Sequence, residues 1–243
     1  MFLNFIEKYP FILAFIMGLV PALIWLWFWL KEDKHPEPVK MLTLSFLGGI
    51  VAVFFVLPLQ RIVYNYLGEQ EFWSFGLWAS IEEVMKFVFI YFIALRNKVA
   101  DEPVDDMIYL IVGALGFVTL ENTLFLMDPI RDGNIFGTII NGNLRFIGAS
   151  LLHIMSSATI GIFMGLSFYK PAFEKRTYTF IGIVVAIVLH TSFNLFILNG
   201  VPENLFFVFG MVWVSIVVLL LLFEKVKHIR KTKEFLAKTS NQN

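Results

Sequence analysis

The sequence predicts an all-α protein, a polytopic membrane bundle of about seven transmembrane helices. Of its 243 residues, 58% are hydrophobic and only 16% are charged. Soluble domains are nearer roughly half apolar and a quarter charged. A membrane-spanning helix needs about 20 apolar residues, and seven segments of the chain are long enough. Basic residues recur in every second connection between these segments. We therefore expect one multi-pass domain over residues 1–243, located in the cell membrane.

The first predicted span is a retained helix and not a cleaved signal peptide. It has no basic leader and no A-x-A cleavage site, and it is longer than the apolar region of a signal peptide. Six further apolar segments follow it along the chain. In order, the predicted spans are residues 9–30, 41–66, 72–95, 105–127, 143–168, 179–198 and 204–223.

Prolines, glycines and charges mark the predicted connections. A charged linker with two prolines covers residues 31–38, and Asp101-Glu102-Pro103 plays the same part later, since proline does not continue a helix. We expect Asp128-Pro129 to end the fourth span. The DG and NG pairs between residues 131 and 143 predict a loop with an apolar middle. Residues 199–202 predict a tight connection.

The distribution of Lys and Arg predicts the orientation of the bundle. Fourteen basic residues lie in the segments 31–40, 96–104 and 169–178 and in the tail after residue 223, and the opposite side has only Lys8 and Arg131. Basic residues concentrate on the cytoplasmic side of membrane proteins. The sequence therefore predicts an external N-terminus and a cytoplasmic C-terminus.

The composition also excludes several kinds of chemistry. The chain has no cysteine, which rules out disulfides, thiolate-ligated metals and a thiol nucleophile. Its formal net charge is zero, so nothing indicates a nucleic-acid partner. We interpret most of the 28 phenylalanines as lipid-facing or helix-packing side chains.

Ionisable residues interrupt the third predicted span. Glu82 and Glu83 lie four and three residues before Lys86, so either carboxylate can reach the ammonium on a helix surface. A charge at the bilayer centre costs roughly 2.5–3.5 kcal/mol on insertion scales and usually marks function. A self-neutralising ion pair is the structural alternative, but two acids and one base leave a negative charge unexplained.

The next three spans each add polar residues. The fourth carries Glu121 beside Asn122, the fifth carries His153 about two turns from Arg145, and the sixth carries His190 one turn from Asn194. Taken singly, Glu121 could extend to water at the interface and the histidines could bond neighbouring helices.

The predicted depth of these polar residues in the membrane argues against unrelated roles for them. At about 1.5 Å per helical residue, the key groups of all four spans lie roughly 9–15 Å from the outer end. We therefore expect one shared polar layer in the middle to outer half of the membrane.

A buried set of carboxylates, imidazoles and an amide suits hydrolysis. Breaking a peptide bond needs an activated water, a base for its proton and donors for the oxyanion. Lys86 could keep Glu82 or Glu83 ionised as the base, and the sequence leaves open which. Zn²⁺ held by Glu121, His153 and His190 is one possibility. A metal-independent glutamate mechanism is equally open, since no H-E-x-x-H motif is present.

As an ordered set, these motifs resemble the PrsW family of intramembrane proteases, within the superfamily of CAAX-type membrane peptidases. The resemblance covers residues 75–200. It rests on Glu82-Glu83-x-x-Lys86, on Phe117-x-x-x-Glu121-Asn122, on Arg145 before His153 with Gly161 and Gly165 after it, and on His190-x-x-x-Asn194.

The resemblance implies a peptidase that cuts a single-span membrane protein within the lipid bilayer. It implies an anti-sigma factor as substrate, cut near the outer face to start a stress response. By the same analogy, Glu82 is the base and Glu83 with Lys86 supports it. His190 and Asn194 hold the oxyanion, while His153 and Glu121 position the water or a metal.

Two functions of other classes compete with the peptidase. Buried Glu, His and Lys also form proton relays in coupled transporters, although the internal repeats common in such transporters are absent from this sequence. A non-catalytic scaffold would use the same polar groups only to join helices.

Overall fold

The computed structural model describes residues 9–33, 35–68, 72–133, 135–198 and 205–229, and every regular element within them is helical. The seven predicted helices are all present. They are α1 (Pro10–Glu32), α2 (Val39–Leu67), α3 (Phe72–Ile90), α4 (Asp105–Arg131), α5 (Ile135–Leu166), α6 (Ala172–Leu198) and α7 (Leu205–Lys227). A π-helical turn, Tyr91–Leu95, extends α3 to the end predicted for the third span.

Within the described residues, five segments are long and apolar enough to cross a membrane by themselves: Pro10–Glu32, Val39–Leu67, Asp105–Arg131, Gly148–Leu166 and Ala172–Leu195. Helix α3 is not among them because Glu82, Glu83 and Lys86 interrupt its apolar sequence. The chain is thus a multi-pass helical membrane protein, and its orientation stays a prediction. Several large apolar side chains on the outside of the bundle, such as Phe54 and Trp27, are more than half exposed, as lipid-facing residues should be.

Helix α4 is the centre of the bundle and packs most extensively against α1, α2 and α5. Small residues allow the close approach. A Cβ atom added to Gly49 of α2 would lie 1.9 Å from the carbonyl oxygen of Gly113, and one added to Gly116 would lie 1.9 Å from that of Phe46. The main apolar core, which includes Trp29, Ile111 and Phe223, joins residues of α1, α4, α5 and α7.

The predicted end of the fourth span was wrong. Helix α4 continues through Pro129 to Arg131. Proline removes one N–H donor, but the Asp132 N–H still bonds to the Asp128 carbonyl at 2.9 Å and closes the last turn. Gly133, at φ 68°, then ends the helix in the left-handed region that favours glycine.

The predicted loop between residues 131 and 143 was also wrong. Helix α5 begins at Ile135 and runs through the Asn141-Gly142 pair. In lipid an unpaired backbone amide is costly, so a helix is favoured even where the residues prefer a turn in water. The predicted connection at residues 199–202 lies outside the described residues.

The linker between α1 and α2 is tied to the start of α4. The Tyr109 hydroxyl donates to the buried carboxylate of Glu37, whose carboxyl group also hydrogen-bonds to that of Asp105. Burial raises the pKa of Glu37, and it also raises the pKa of Asp33 in the same linker. Two hydrogen-bonded carboxyl groups must share a proton, so this contact is strongest when Glu37 or Asp105 is protonated.

Candidate active site

The polar residues of the third to sixth predicted spans meet in one buried cluster between α3, α4, α5 and α6. Glu82, Glu83, Lys86, His153 and His190 are each at most 5% exposed. The structure therefore brings the ionisable residues of these four helices together, whereas their depth in the membrane stays a prediction. Since charged groups avoid lipid, each helix turns its ionisable face towards the others.

Glu83 joins α3 to α6 within the cluster. Its Oε1 accepts hydrogen bonds from Lys86 Nζ at 2.7 Å and from His190 Nδ1 at 2.6 Å. The side chain is fully buried. Glu83 is thus committed to an ion pair and to holding the His190 ring, which leaves the opposite ring nitrogen, Nε2, to face Glu82.

His153 connects the ion pair to α4. Its Nδ1 lies 3.0 Å from Lys86 Nζ, and its Nε2 lies 2.9 Å from Glu121 Oε2. An ammonium can only donate and a carboxylate can only accept. His153 in this arrangement is therefore the neutral tautomer with its proton on Nε2. The Phe117 ring packs at 5.4 Å from the imidazole, between centroids, and shields it from lipid.

Glu82 and Glu83 each have one buried oxygen, Oε2, without a hydrogen-bond partner among the described residues, but it is Glu82 whose carboxylate converges with His153 and His190. Glu82 Oε1 accepts a hydrogen bond from Gln60 Nε2 at 2.6 Å. Its buried Oε2 lies 3.5 Å from His190 Nε2 and has no hydrogen-bond partner among the described residues. A buried acceptor without a donor is costly, so this oxygen is the natural attachment point for a water molecule or a cation.

Glu82, His153 and His190 also form a group that could hold a metal ion. One donor atom from each residue lies within 4.8 Å of the others. Two imidazoles and a carboxylate are a ligand set typical of catalytic zinc. The structure selects Glu82, not the predicted Glu121, as the carboxylate of this group, because Glu121 Oε2 instead bonds to His153.

The charges of the cluster are consistent with a cation or additional protons. Three carboxylates, those of Glu82, Glu83 and Glu121, surround one ammonium, that of Lys86. With neutral histidines this leaves an excess of two negative charges. Since isolated buried charges are strongly disfavoured, protons or a divalent cation would stabilise the pocket.

The remaining predicted site residues are less closely connected. Asn122 is buried on α4, next to Glu121. Asn194 is half-buried one turn beyond His190 and makes no hydrogen bond to the cluster within the described part of the chain. Arg145 belongs to α5 by its backbone, but its side chain lies outside the described residues.

Gln60 also belongs to the cluster, although no sequence motif indicated it. It lies on α2, beyond the four spans that carry the ionisable motifs. An uncharged polar residue near the end of an apolar segment gives little signal, and its neighbour Arg61 suggests an ordinary interfacial position. Only the packing of α2 against α3 brings its amide to Glu82.

A multi-pass helical bundle with a buried Glu-Glu-Lys-His-His cluster has the form of an intramembrane hydrolase. The family comparison agrees with this class: residues 37–222 match the family described as PrsW family intramembrane metalloprotease. The chain belongs to the PrsW family, and it is a membrane protease.

Curated relatives support this assignment. The chain is 29% identical over 187 residues to a protein named Protease PrsW from Geobacillus kaustophilus, covering 73% of this chain and 76% of that protein. It is 28% identical over 197 residues to Protease PrsW from Bacillus subtilis, covering 78% and 84%. A third, from Halalkalibacterium halodurans, is 25% identical over 209 residues, covering 82% and 92%. No solved structure matches the chain.

Proposed function

We propose that this protein is an intramembrane endopeptidase that hydrolyses a peptide bond of a single-span membrane protein, with Glu82 as the base that activates water. The observation that carries the proposal is the buried, unpartnered Oε2 of Glu82, 3.5 Å from His190 Nε2. A water that hydrogen-bonds to both atoms from the side of the pocket could give its proton to the carboxylate. Glu83 also has an Oε2 without a hydrogen-bond partner among the described residues, but its charge is already paired with Lys86 and its Oε1 also holds His190, which makes it the weaker base.

The other side chains divide the remaining tasks. Lys86 neutralises Glu83 and donates to His153. His190, held by Glu83, turns its Nε2 to the pocket, where it could donate to an oxyanion when protonated. His153 keeps its proton directed to Glu121. These assignments give every other ionisable residue of the cluster a partner and leave Oε2 of Glu82 to take the proton.

A metal ion is compatible with the same pocket. Glu82, His153 and His190 would hold it, and a bound Zn²⁺ would lower the pKa of a water ligand and polarise the scissile carbonyl. Both nitrogens of His153 already have partners, so metal binding would require His153 to exchange one of them.

The substrate class follows from the position of the cluster and the family resemblance. A pocket enclosed by membrane helices favours a substrate that itself crosses the bilayer. A membrane-anchored anti-sigma factor, cut near the outer face, is the substrate implied by the resemblance, and release of a sigma factor in a stress response would be the outcome.

Cleavage of tagged single-span anti-sigma factors by the purified protein in liposomes tests the proposal. Glu82→Gln should lower kcat on the order of 100-fold or more, the typical contribution of a general base. Glu37→Gln is the matched control, because Glu37 is a buried carboxylate in the linker between α1 and α2, apart from the pocket. Cleavage by Glu82→Gln at the wild-type rate would contradict the proposal.

The same assay decides the metal question. Pre-incubation with 1,10-phenanthroline, followed by added Zn²⁺, should abolish and restore cleavage if the three-residue group holds a catalytic metal. Unchanged cleavage with the chelator, together with loss in Glu82→Gln, would indicate the metal-independent glutamate mechanism.

A further inference from the structure

We propose that Gln60 is a positioning residue for Glu82: it holds one carboxylate oxygen so that the other is presented to the reacting water. The inference rests on the proposed function, since it assigns a role relative to Glu82 as the base. It adds a second-span residue to a site that the motifs place entirely in the third to sixth spans.

The contact between Gln60 and Glu82 is short and has a fixed direction. Gln60 Nε2 lies 2.6 Å from Glu82 Oε1. A carboxylate has no proton to give, so the amide must donate. Hydrogen bonds to an ionised group are shorter and about twice as strong as those between neutral groups. Gln60 therefore holds the Glu82 carboxylate in one orientation.

A second contact fixes Gln60 itself. The indole N–H of Trp78 donates to the backbone carbonyl of Gln60 at 3.1 Å. Trp78 precedes Glu82 by one turn on α3, so the two helices are joined at two points that lie on one face. This second bond fixes the separation of α2 and α3 beside the contact between Gln60 and Glu82.

The result is an asymmetric carboxylate. Oε1 has its donor, whereas Oε2 is buried, lies 3.5 Å from His190 Nε2 and has no hydrogen-bond partner in the described parts of the chain. A general base needs one lone pair aimed at the proton it takes, and displacement by about 1 Å can cost two orders of magnitude in rate. Without Gln60, rotation of the carboxylate would let both oxygens compete for the pocket.

A purely structural role is the alternative, in which Gln60 only joins α2 to α3. The two roles predict different results for Gln60→Leu, which keeps the size of the side chain but removes the donor. A structural role predicts a lower Tm alone. A positioning role predicts a change in kcat with little change in KM, and a shift of the acidic limb of the pH–rate profile to higher pH.

The first experiment compares Gln60→Leu and Gln60→Glu with wild type on the single-span anti-sigma substrates. We expect kcat to fall about tenfold in Gln60→Leu, the scale of one charge-assisted hydrogen bond, and further in Gln60→Glu, which places a carboxylate against Glu82. Asn65→Leu is the matched control, because it removes an exposed amide from the same helix. An unshifted pH profile in both Gln60 variants would overturn the inference.

A second experiment needs no substrate. Dicyclohexylcarbodiimide modifies protonated carboxyl groups in apolar surroundings, and mass spectrometry of the peptide containing Glu82 measures the extent. We expect labelling of Glu82 at neutral pH to rise severalfold in Gln60→Leu and to stay at the wild-type extent in Asn65→Leu, with folded protein isolated by size exclusion.

The two experiments separate the two proposals. If the wild-type protein cleaves no substrate but Gln60→Leu changes the labelling of Glu82, the proposed function fails. The role of Gln60 in holding the Glu82 carboxylate then remains. If wild type cleaves and neither labelling nor the pH profile responds, Gln60 is not a positioning residue.

Discussion

Glu83 and Lys86 each contribute to the stability of the bundle and to the arrangement of the proposed active site. The pair is fully buried, with Nζ and Oε1 2.7 Å apart, and each member also contacts a histidine. Removing one partner of a buried pair leaves an uncompensated charge, which costs more than removing both. The ion pair therefore constrains which substitutions the pocket tolerates.

We expect Lys86→Met or Glu83→Gln alone to lower the free energy of unfolding by about 3–5 kcal/mol, and the double variant to recover part of that loss. Thermal unfolding in detergent measures the effect. The matched control is Lys170→Met with Glu174→Gln, which removes a partly exposed pair of similar spacing and should change Tm little. A Lys86→Met protein as stable as wild type would contradict the expectation.

At the residue scale, the sequence predicted which side chains meet but not how they pair. Glu82 and Glu83 are both within helical reach of Lys86, and spacing alone leaves the partner open. In the structure Lys86 pairs with Glu83, at the same carboxylate oxygen that accepts a hydrogen bond from His190. That choice depends on how α6 packs against α3, which no local pattern encodes.

At the element scale, glycine contacts set the distance between α2 and α4. The carbonyl groups of Phe46 and Gly113 occupy the space that side chains at Gly116 and Gly49 would need. Because the neighbouring atoms belong to the backbone, a rotamer change cannot relieve the overlap.

We expect Gly116→Ala to destabilise the protein by about 1–3 kcal/mol, the usual range for overpacking, and to reduce cleavage by moving α2. Gly210→Ala is the matched control, since a Cβ there meets nothing within 4 Å and alanine favours a helix. Thermal unfolding and the cleavage assay together check the outcome. Equal Tm values for the two variants would show that the α2–α4 contact can expand freely.

The ends of the helices were predicted less well from the sequence than their number. Pro129 and the Asn141-Gly142 pair are turn signals in water, yet both lie within helices here. The number of helices was predicted correctly because length and hydropathy follow from bilayer thickness. The boundaries were not, because the backbone of a membrane protein keeps its hydrogen bonds even where local preference opposes them.

At the scale of the whole molecule, the basic residues predict an orientation that cysteine labelling can test. The native chain has no cysteine, so single substitutions give a clean background. Tyr66, near the end of α2, and Phe173, near the start of α6, are 85% and 81% exposed. They lie on opposite sides of the membrane in the predicted topology.

We expect a membrane-impermeant maleimide added to intact cells to label Tyr66→Cys and not Phe173→Cys, because basic segments stay in the cytoplasm. Both should react after the membrane is permeabilised, which controls for reactivity. Labelling of Phe173→Cys in intact cells would reverse the assigned orientation and place the pocket in the inner half of the membrane.

The charged cluster of α3 has a consequence for biogenesis. Glu82, Glu83 and Lys86 oppose the release of this segment into lipid by itself, and the histidines that contact them, His153 and His190, emerge from the ribosome only later. We therefore expect stable integration of α3 to depend on α5 and α6. A nascent chain truncated before α6 would keep the Glu83–Lys86 pair but would leave Glu82 and Glu83 without His190.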